Sequence, residues 1–299
     1  MYNHLFLFQV HKEPELFHRI LSHLESPNHY FIINIDKKSK DEQTFKKIIN
    51  LHKNIIFTSF MNITHGGFSQ ISCTLHQIHQ AQSSKIHFDY YHTLSGQDYP
   101  CVSVEEFDSF FDNNTQSYMV FDKAEDYPQW KYTTYPKRLE HYYVTDLLDN
   151  SFFRKIYLPQ IINRFVYWIP RKYKSWESIW GGWNWFSLHE SVIQYLIDYI
   201  EEHPKFVKRF KYTHCADELF FTTILHPVIQ KFNIEAHNSL RYVDWHPKRF
   251  YTTLPLILNE EDYDSIIESQ KFFCRKVEEK TSKQLLIKLD EKIQSSKNN

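Results

Sequence analysis

The sequence predicts an α/β fold built on a mainly parallel sheet, and three observations predict it. Short apolar runs alternate with segments of helical spacing through residues 1–125. The chain beyond them is richer in helical spacing, and no Pro/Gly/Ser-rich linker or internal repeat separates the two parts. Strand–helix–strand alternation at this period implies βαβ units with right-handed crossovers.

In chain order, "LFLFQV" (5–10), "YFIINID" (30–36), "NIIFTSF" (54–60), "FDYYHTL" (88–94) and "YMVFD" (118–122) have the apolar, β-branched and aromatic content of strands. Between them, 13–25, 40–53 and 67–81 place apolar residues at helical spacing with polar faces, as in "KDEQTFKKIINLHK". Further on, 188–211, 215–230 and the charged amphipathic 281–296 read as helices. Between the halves, "RFVYWIPRKYKSWESIWGGWNWF" (164–186) crowds tryptophan, basic residues and a Gly-Gly pair. The expected organisation is one domain over 1–299. It comprises a nucleotide-binding βαβ half (1–125), an acceptor and catalytic half (126–280), and a C-terminal helix and tail (281–299).

At 299 residues, with 42% hydrophobic and 24% charged content, the chain has ample material for a core. A formal net charge of −1 argues against nucleic acid as a partner. Aromatics are the outlier at 17%: their faces suit sugar rings, although a Phe or Tyr more commonly fills the core. Cys73, Cys101, Cys215 and Cys274 show no CxxC spacing, which points to a reducing cytoplasm and suggests neither a disulfide scaffold nor a zinc site. The N-terminus lacks the pattern of a signal peptide, and no run reaches the roughly 20 apolar residues of a membrane span. The expected location is cytoplasmic, with peripheral contact at the inner face of a membrane allowed.

No GxGxxG, Walker or GxSxG pattern occurs, and no HExxH. His76 and His79 read as a solvated face. Parallel sheets bind ligands outside the carboxyl ends of their strands. Asp36 and the compact tip Ser95-Gly96-Gln97-Asp98 of "YYHTLSGQDYP" both fall at such ends. In "THCADELFFTTIL" (213–225), Thr213 or Cys215 is a candidate helix cap, which sets Asp217 and Glu218 in the first turn. Glu218 can be a general base there, or merely an acid favoured at a helix start. In "QKFFCRKVEEK" (270–280), Arg275 and Lys276 follow an aromatic pair and can either meet a phosphate or stay solvated. "EDYDS" (261–265) has the outward form of a metal site but opens a helix, so Asp262 reads as a cap.

Taken in order, "YFIINIDKKSK", "THGGFSQISCTLHQIHQA", "YYHTLSGQDYP", "GGWNWFSLHESVIQYL", "CADELFFTTIL", "LRYVDWHP" and "EDYDSIIESQKFFCRKV" resemble the core-2/I-branching β-1,6-N-acetylglucosaminyltransferases and their peptide O-xylosyltransferase relatives. The resemblance covers about residues 30–277. It implies a GT-A-like nucleotide-diphosphosugar transferase fold and an inverting, metal-independent transfer. Glu218 matches the catalytic glutamate and Lys276 the pyrophosphate-binding lysine. A partner arginine belongs upstream, with Arg249 first and Arg241 second. Asp36 falls near the base and ribose, and Ser95, Gln97 and Asp98 in the turn lining the donor pocket. Departures are His65 for a common Trp, Asn34 for His, Cys274 for Ala and Ala216 for Pro. Golgi-type anchors and disulfides are absent from the pattern, so a bacterial-type enzyme of surface polysaccharide synthesis is the nearer analogy.

An inverting transfer needs one base for the acceptor hydroxyl and preorganised charge for the departing diphosphate. Lys276 with Arg249 would supply the two positive charges of one Mg²⁺, so no metal or cofactor is expected beside the UDP-sugar. N-acetylglucosamine is the first choice of sugar, then xylose, glucose and galactose. A glycan or glycolipid acceptor is expected on the Trp-rich segment, at Trp183 and Trp185, with Asp217 beside it. Two other classes stay open: a sugar-binding protein without turnover, and a nucleotide-sugar hydrolase.

Overall fold

A computed structural model describes residues 1–122, 138, 139, 141–144, 146, 162, 165, 166, 169, 179–246 and 254–297. The chain divides into two compact units, neither of them one consecutive stretch. The first gathers Met1–Met61, Gln80–Thr115 and Asn238–Asn299, and the second Asn62–His79 and Gln116–His237.

The first unit is a βαβ assembly. Strands β1 (His4–Val10), β2 (His29–Ile35), β3 (Ile55–Ser59) and β4 (Tyr90–Ser95) lie in the order β3-β2-β1-β4, all parallel. Leu5, Phe6, Leu7, Phe8 and Val10 of β1 are all buried. Such a near-continuous apolar run is what a parallel strand covered on both faces requires. Helix α1 (Pro14–Leu24) starts on a proline, whose missing N–H costs nothing there, and buries Leu16, Phe17, Ile20, Leu21 and Leu24. Helix α2 (Glu42–Ile49) buries Phe45, Ile48 and Ile49. The rings of Phe8 and Phe17 meet at 5.1 Å, and those of Phe17 and Phe45 at 5.8 Å, so these aromatics fill the core.

Helix α3 (Ser69–Ser83) follows β3, and α4 (Val104–Phe111) is capped by the Ser103 hydroxyl, which accepts from Glu106 N at 3.2 Å. A three-stranded sheet completes the first unit: β10 (Phe273–Arg275) runs antiparallel to β5 (Tyr99–Pro100) and parallel to β9 (Arg241–Val243).

In the second unit, β6 (Ser117–Asp122) pairs antiparallel with β7 (Gly181–His189) and parallel with β8 (Ile234–Glu235). The expected helix at 188–211 is two: α5 (Glu190–Glu202) and α6 (Pro204–Phe210). Pro204 breaks it, because proline cannot donate to the preceding turn and disfavours helical backbone at His203. Likewise 215–230 shortens to α7 (Asp217–Leu225), followed by a 3₁₀ turn at His226–Val228. Within the Trp-rich segment, Trp180 leads into β7, and Trp183 and Trp185 lie on it. There Gly182 has φ +148°, and a Cβ would stand 2.0 Å from the Val120 carbonyl oxygen. Gly182 is therefore a steric requirement of the β6–β7 register shift beside Val120.

The last elements are α8 (Tyr263–Glu268) and α9 (Lys283–Lys297). Ahead of α8, Asn259 is the capping residue of a 3₁₀ turn at Glu260–Asp262, and Asp262 returns its carboxylate to Asn259 N at 2.9 Å. Asp262 stands at the cap position of α8, as expected, but its side chain bonds backward as the reciprocal partner in the capping box of the 3₁₀ turn rather than to an N–H of α8.

Candidate active site

Two clusters of chemistry-bearing residues bear on the candidate site, one in each unit. In the first, topology selects the place. From β1 the chain proceeds outward to β2 and β3, then returns to β4 on the other side of β1. Ligands of open α/β sheets bind at such a reversal, beyond the carboxyl ends of the strands. His11 and Lys12 follow β1 there, Asp36 follows β2, and the Ser95–Asp98 tip ends β4.

The tip is a scaffold. Asp98 is fully buried; its carboxylate accepts from Ser95 N at 2.6 Å and from the Ser95 hydroxyl at 2.5 Å. It also takes two contacts, at 2.8 and 3.0 Å, from one nitrogen of the Arg275 guanidinium. Gln97 donates to the Val277 carbonyl at 3.1 Å and accepts from Val277 N at 3.1 Å. These bonds clamp the strand that delivers Lys276. Lys276 is further held by its own N–H to Leu256 O and its carbonyl to Leu258 N. Ser95, Gln97, Asp98 and Arg275, expected at the donor, bond to one another, to backbone and, through Gln97, to Glu278.

Lys276 differs from Arg275. It is only part-buried, and its ammonium is pushed below the ordinary lysine value by burial, then by the like charges of Arg275 and Lys12. His11 is also held below its usual value, by burial and by Lys12, with Lys276 and Lys38 acting in the same direction and Asp36 against them. These residues therefore form one cationic cluster. An arriving diphosphate would relieve its self-repulsion. Asp36 accepts from Lys38 N at 2.9 Å, an Asx turn that faces it toward this cluster. Lys12 is steered by Glu278 at 2.5 Å. Arg249 lies outside the described residues. Arg241, the second choice, is buried, with its guanidinium given to the Ser239 and Thr93 carbonyls.

In the second unit, α7 is sunk in the core. Asp217 and Leu219 through Leu225 are all buried, and Glu218 is the one residue of that helix not so classed, its side chain 32% exposed. Neither Thr213 nor Cys215 caps α7. The residue at the cap position is Ala216, which has no side-chain acceptor, and Thr213 bonds back to Arg209 O. Cys215 takes a left-handed backbone (φ 46°), and its N–H is held by Gly66 O at 2.9 Å.

Glu218 Oε2 accepts from Arg138 at 2.9 Å, and Asp217 Oδ2 accepts from Asn184 Nδ2 at 2.8 Å. Burial pushes the Glu218 carboxyl up to about 7, the Asp217 charge adds to the rise, and Arg138 opposes it. Burial likewise raises Asp217. The dipole benefit expected from a helix start is therefore outweighed by desolvation. A carboxylate poised near neutrality, reached by solvent and fixed on an otherwise buried helix, is equipped to take a proton from a hydroxyl.

Arg138, His11 and Lys12 escaped the sequence reading. Arg138 meets its partner across 80 residues of chain, and nothing local in "KRLE" marks it. Trp183 and Trp185 keep partial exposure on β7. Trp180 stacks on His226 and passes its carbonyl to the Thr222 hydroxyl at 2.6 Å. Trp176, Arg171 and Lys172 lie outside the described residues.

The sequence pattern of the Core-2/I-branching enzyme family matches residues 5–267. The chain belongs to that family. Its fold is α/β, as expected, with parallel strands flanked by helices. Two curated relatives from Arabidopsis thaliana are the β-glucuronosyltransferases GlcAT14B and GlcAT14A. They are 20% identical over 88% of this chain and 21% over 86%. The chain spans 59% and 57% of their lengths. Among solved structures, mouse xyloside xylosyltransferase 1 aligns with 84% of this chain and 90% of its own, at a TM-score of 0.37 and 11% identity.

Proposed function

We propose that this Core-2/I-branching enzyme moves a sugar from a UDP-sugar to a hydroxyl of a glycan acceptor, with inversion at the anomeric carbon. Glu218 takes the acceptor proton. Lys276, with Lys12 and Lys38 in the same cluster, meets the charge that develops on the departing diphosphate. No divalent ion is needed there, because fixed cations supply the neutralisation. Arg275 and Asp98 position Lys276 rather than touch the donor, Asp36 orients the nucleoside end, and Trp183 and Trp185 offer faces to the acceptor. The observation that carries this reading is Glu218: solvent-reached, raised toward neutrality, on a helix whose other residues are buried.

N-acetylglucosamine remains the first choice of donor sugar. Glucuronic acid is the second, favoured by the names of the two Arabidopsis relatives.

The test is transfer to a glycan acceptor by the wild type and by Glu218→Gln, both with excess chelator present. Turnover should persist in the wild type and fall by about 10²–10⁴-fold in the variant, while UDP affinity stays unchanged. Near-normal turnover by the variant would remove Glu218 as the base. Loss of wild-type initial rate, restored by Mn²⁺, would remove metal independence.

A further inference from the structure

At the opposite end of the first unit's strands, three ligand-type side chains converge. His4 opens β1, His29 opens β2, and Asp108 lies on α4. One nitrogen of each ring and one carboxylate oxygen all lie within 4.8 Å of one another. His29 Nε2 stands 2.8 Å from Asp108 Oδ1, and His4 Nε2 stands 3.8 Å from the same oxygen, beyond hydrogen-bonding reach.

Both rings are held from behind, and Asn28 meets the same Asp108 oxygen that faces them. His29 Nδ1 lies 2.7 Å from the Leu24 carbonyl, an obligate acceptor, so that nitrogen carries the hydrogen and Nε2 faces Asp108. His4 Nδ1 meets His92 Nε2 at 3.1 Å, and Asn28 Nδ2 donates to Asp108 at 3.2 Å. Outer hydrogen bonds that fix tautomer and ring direction are how proteins prepare imidazole ligands for a metal. The surroundings are apolar, with Phe107 5.1 Å from the His4 ring and 5.5 Å from the His29 ring. His4 and His29 are buried, and the Asp108 side chain is 12% exposed.

We propose that His4, His29 and Asp108 form a binding site for one borderline divalent cation of the zinc class, structural rather than catalytic. Zinc bonds of about 2.0–2.2 Å in a tetrahedral arrangement set ligand atoms roughly 3.4 Å apart. The observed 2.8 and 3.8 Å bracket that separation. Binding replaces the proton shared between His29 Nε2 and Asp108 with the cation and releases it to solvent; water entering beside Asp108 completes the coordination. The site lies six residues from Val10 along β1, about 20 Å from the cationic cluster at the strand ends. The proposal is therefore independent of how the diphosphate is neutralised.

The test uses the full-length chain, stripped with chelator and dialysed against Zn²⁺ or Co²⁺, beside Asp108→Asn and His29→Gln. The wild type should retain about one equivalent of zinc, unfold at higher temperature with the ion than without it, and give the intense visible Co²⁺ bands of a low-coordinate site. Both variants should bind at least about 100-fold more weakly, and the initial rate of sugar transfer should not depend on zinc. Because the Co²⁺ spectrum is read on the wild type, it stands even if a variant folds poorly. Equal uptake by wild type and variants, or a wild type with neither retained zinc nor Co²⁺ bands, would overturn the proposal and leave a hydrogen-bonded His–Asp cluster.

Discussion

Glu218 works under opposed influences, and their balance sets a pH dependence. Burial and the neighbouring Asp217 raise its carboxyl to about 7, against about 4.3 for an ordinary glutamate. A general base must be ionised, so kcat/KM should climb as pH rises through the raised value and lie low beneath it. Arg138 pulls the other way by favouring the ionised form. Arg138→Gln should therefore move the acid limb to still higher pH, and a kcat/KM profile from pH 5 to 9 measures it. An unmoved limb would mean that Arg138 does not act on Glu218 in the enzyme at work.

The elements show how the polar residues around the cationic cluster hold one another in place. The turn after β4 and strand β10 are joined by the Asp98–Arg275 ion pair, whose side chains are 0% and 6% exposed. Removing one partner of such a pair leaves an uncompensated buried charge, at a cost of about 3–5 kcal/mol. Asp98→Ala should lose stability on that scale in urea denaturation and also weaken UDP binding, since Lys276 follows Arg275. The double variant Asp98→Ala/Arg275→Met should recover much of the stability, because no orphaned charge remains. An additive double variant would mean that the pair is not coupled.

At the scale of the whole molecule, the cationic cluster proposed to take the diphosphate belongs to one compact unit and Glu218 to the other. Saturating UDP should slow amide exchange first at Lys38, Gln97, Lys276 and Val277, whose N–H groups are fixed around the cationic cluster. Uniform protection of α7 without protection of these amides would contradict the donor assignment. A thermal-shift panel of UDP-sugars then ranks donors, since a ligand at about 100 times its Kd adds roughly 2.7 kcal/mol.

The order of elements was written in the chain because it rests on local periodicity. β1, β2 and β3, with α1 and α2, stand close to where apolar spacing put them, and Pro204 carried a break that spacing alone concealed. Glu218 and Lys276 stood out as candidates because each sits in a short run whose neighbours mark it, "ADELFF" and "FFCRK". Pairings across tens to hundreds of residues were not. Asp98 with Arg275, Arg138 with Glu218, and His4 with His29 and Asp108 are joined only when strands and helices come together. Local sequence reports what each backbone segment prefers. Desolvation and charge pairing depend on what surrounds a group in space, and these made Asp98 a scaffold, raised Glu218 toward neutrality and brought two histidines to one carboxylate.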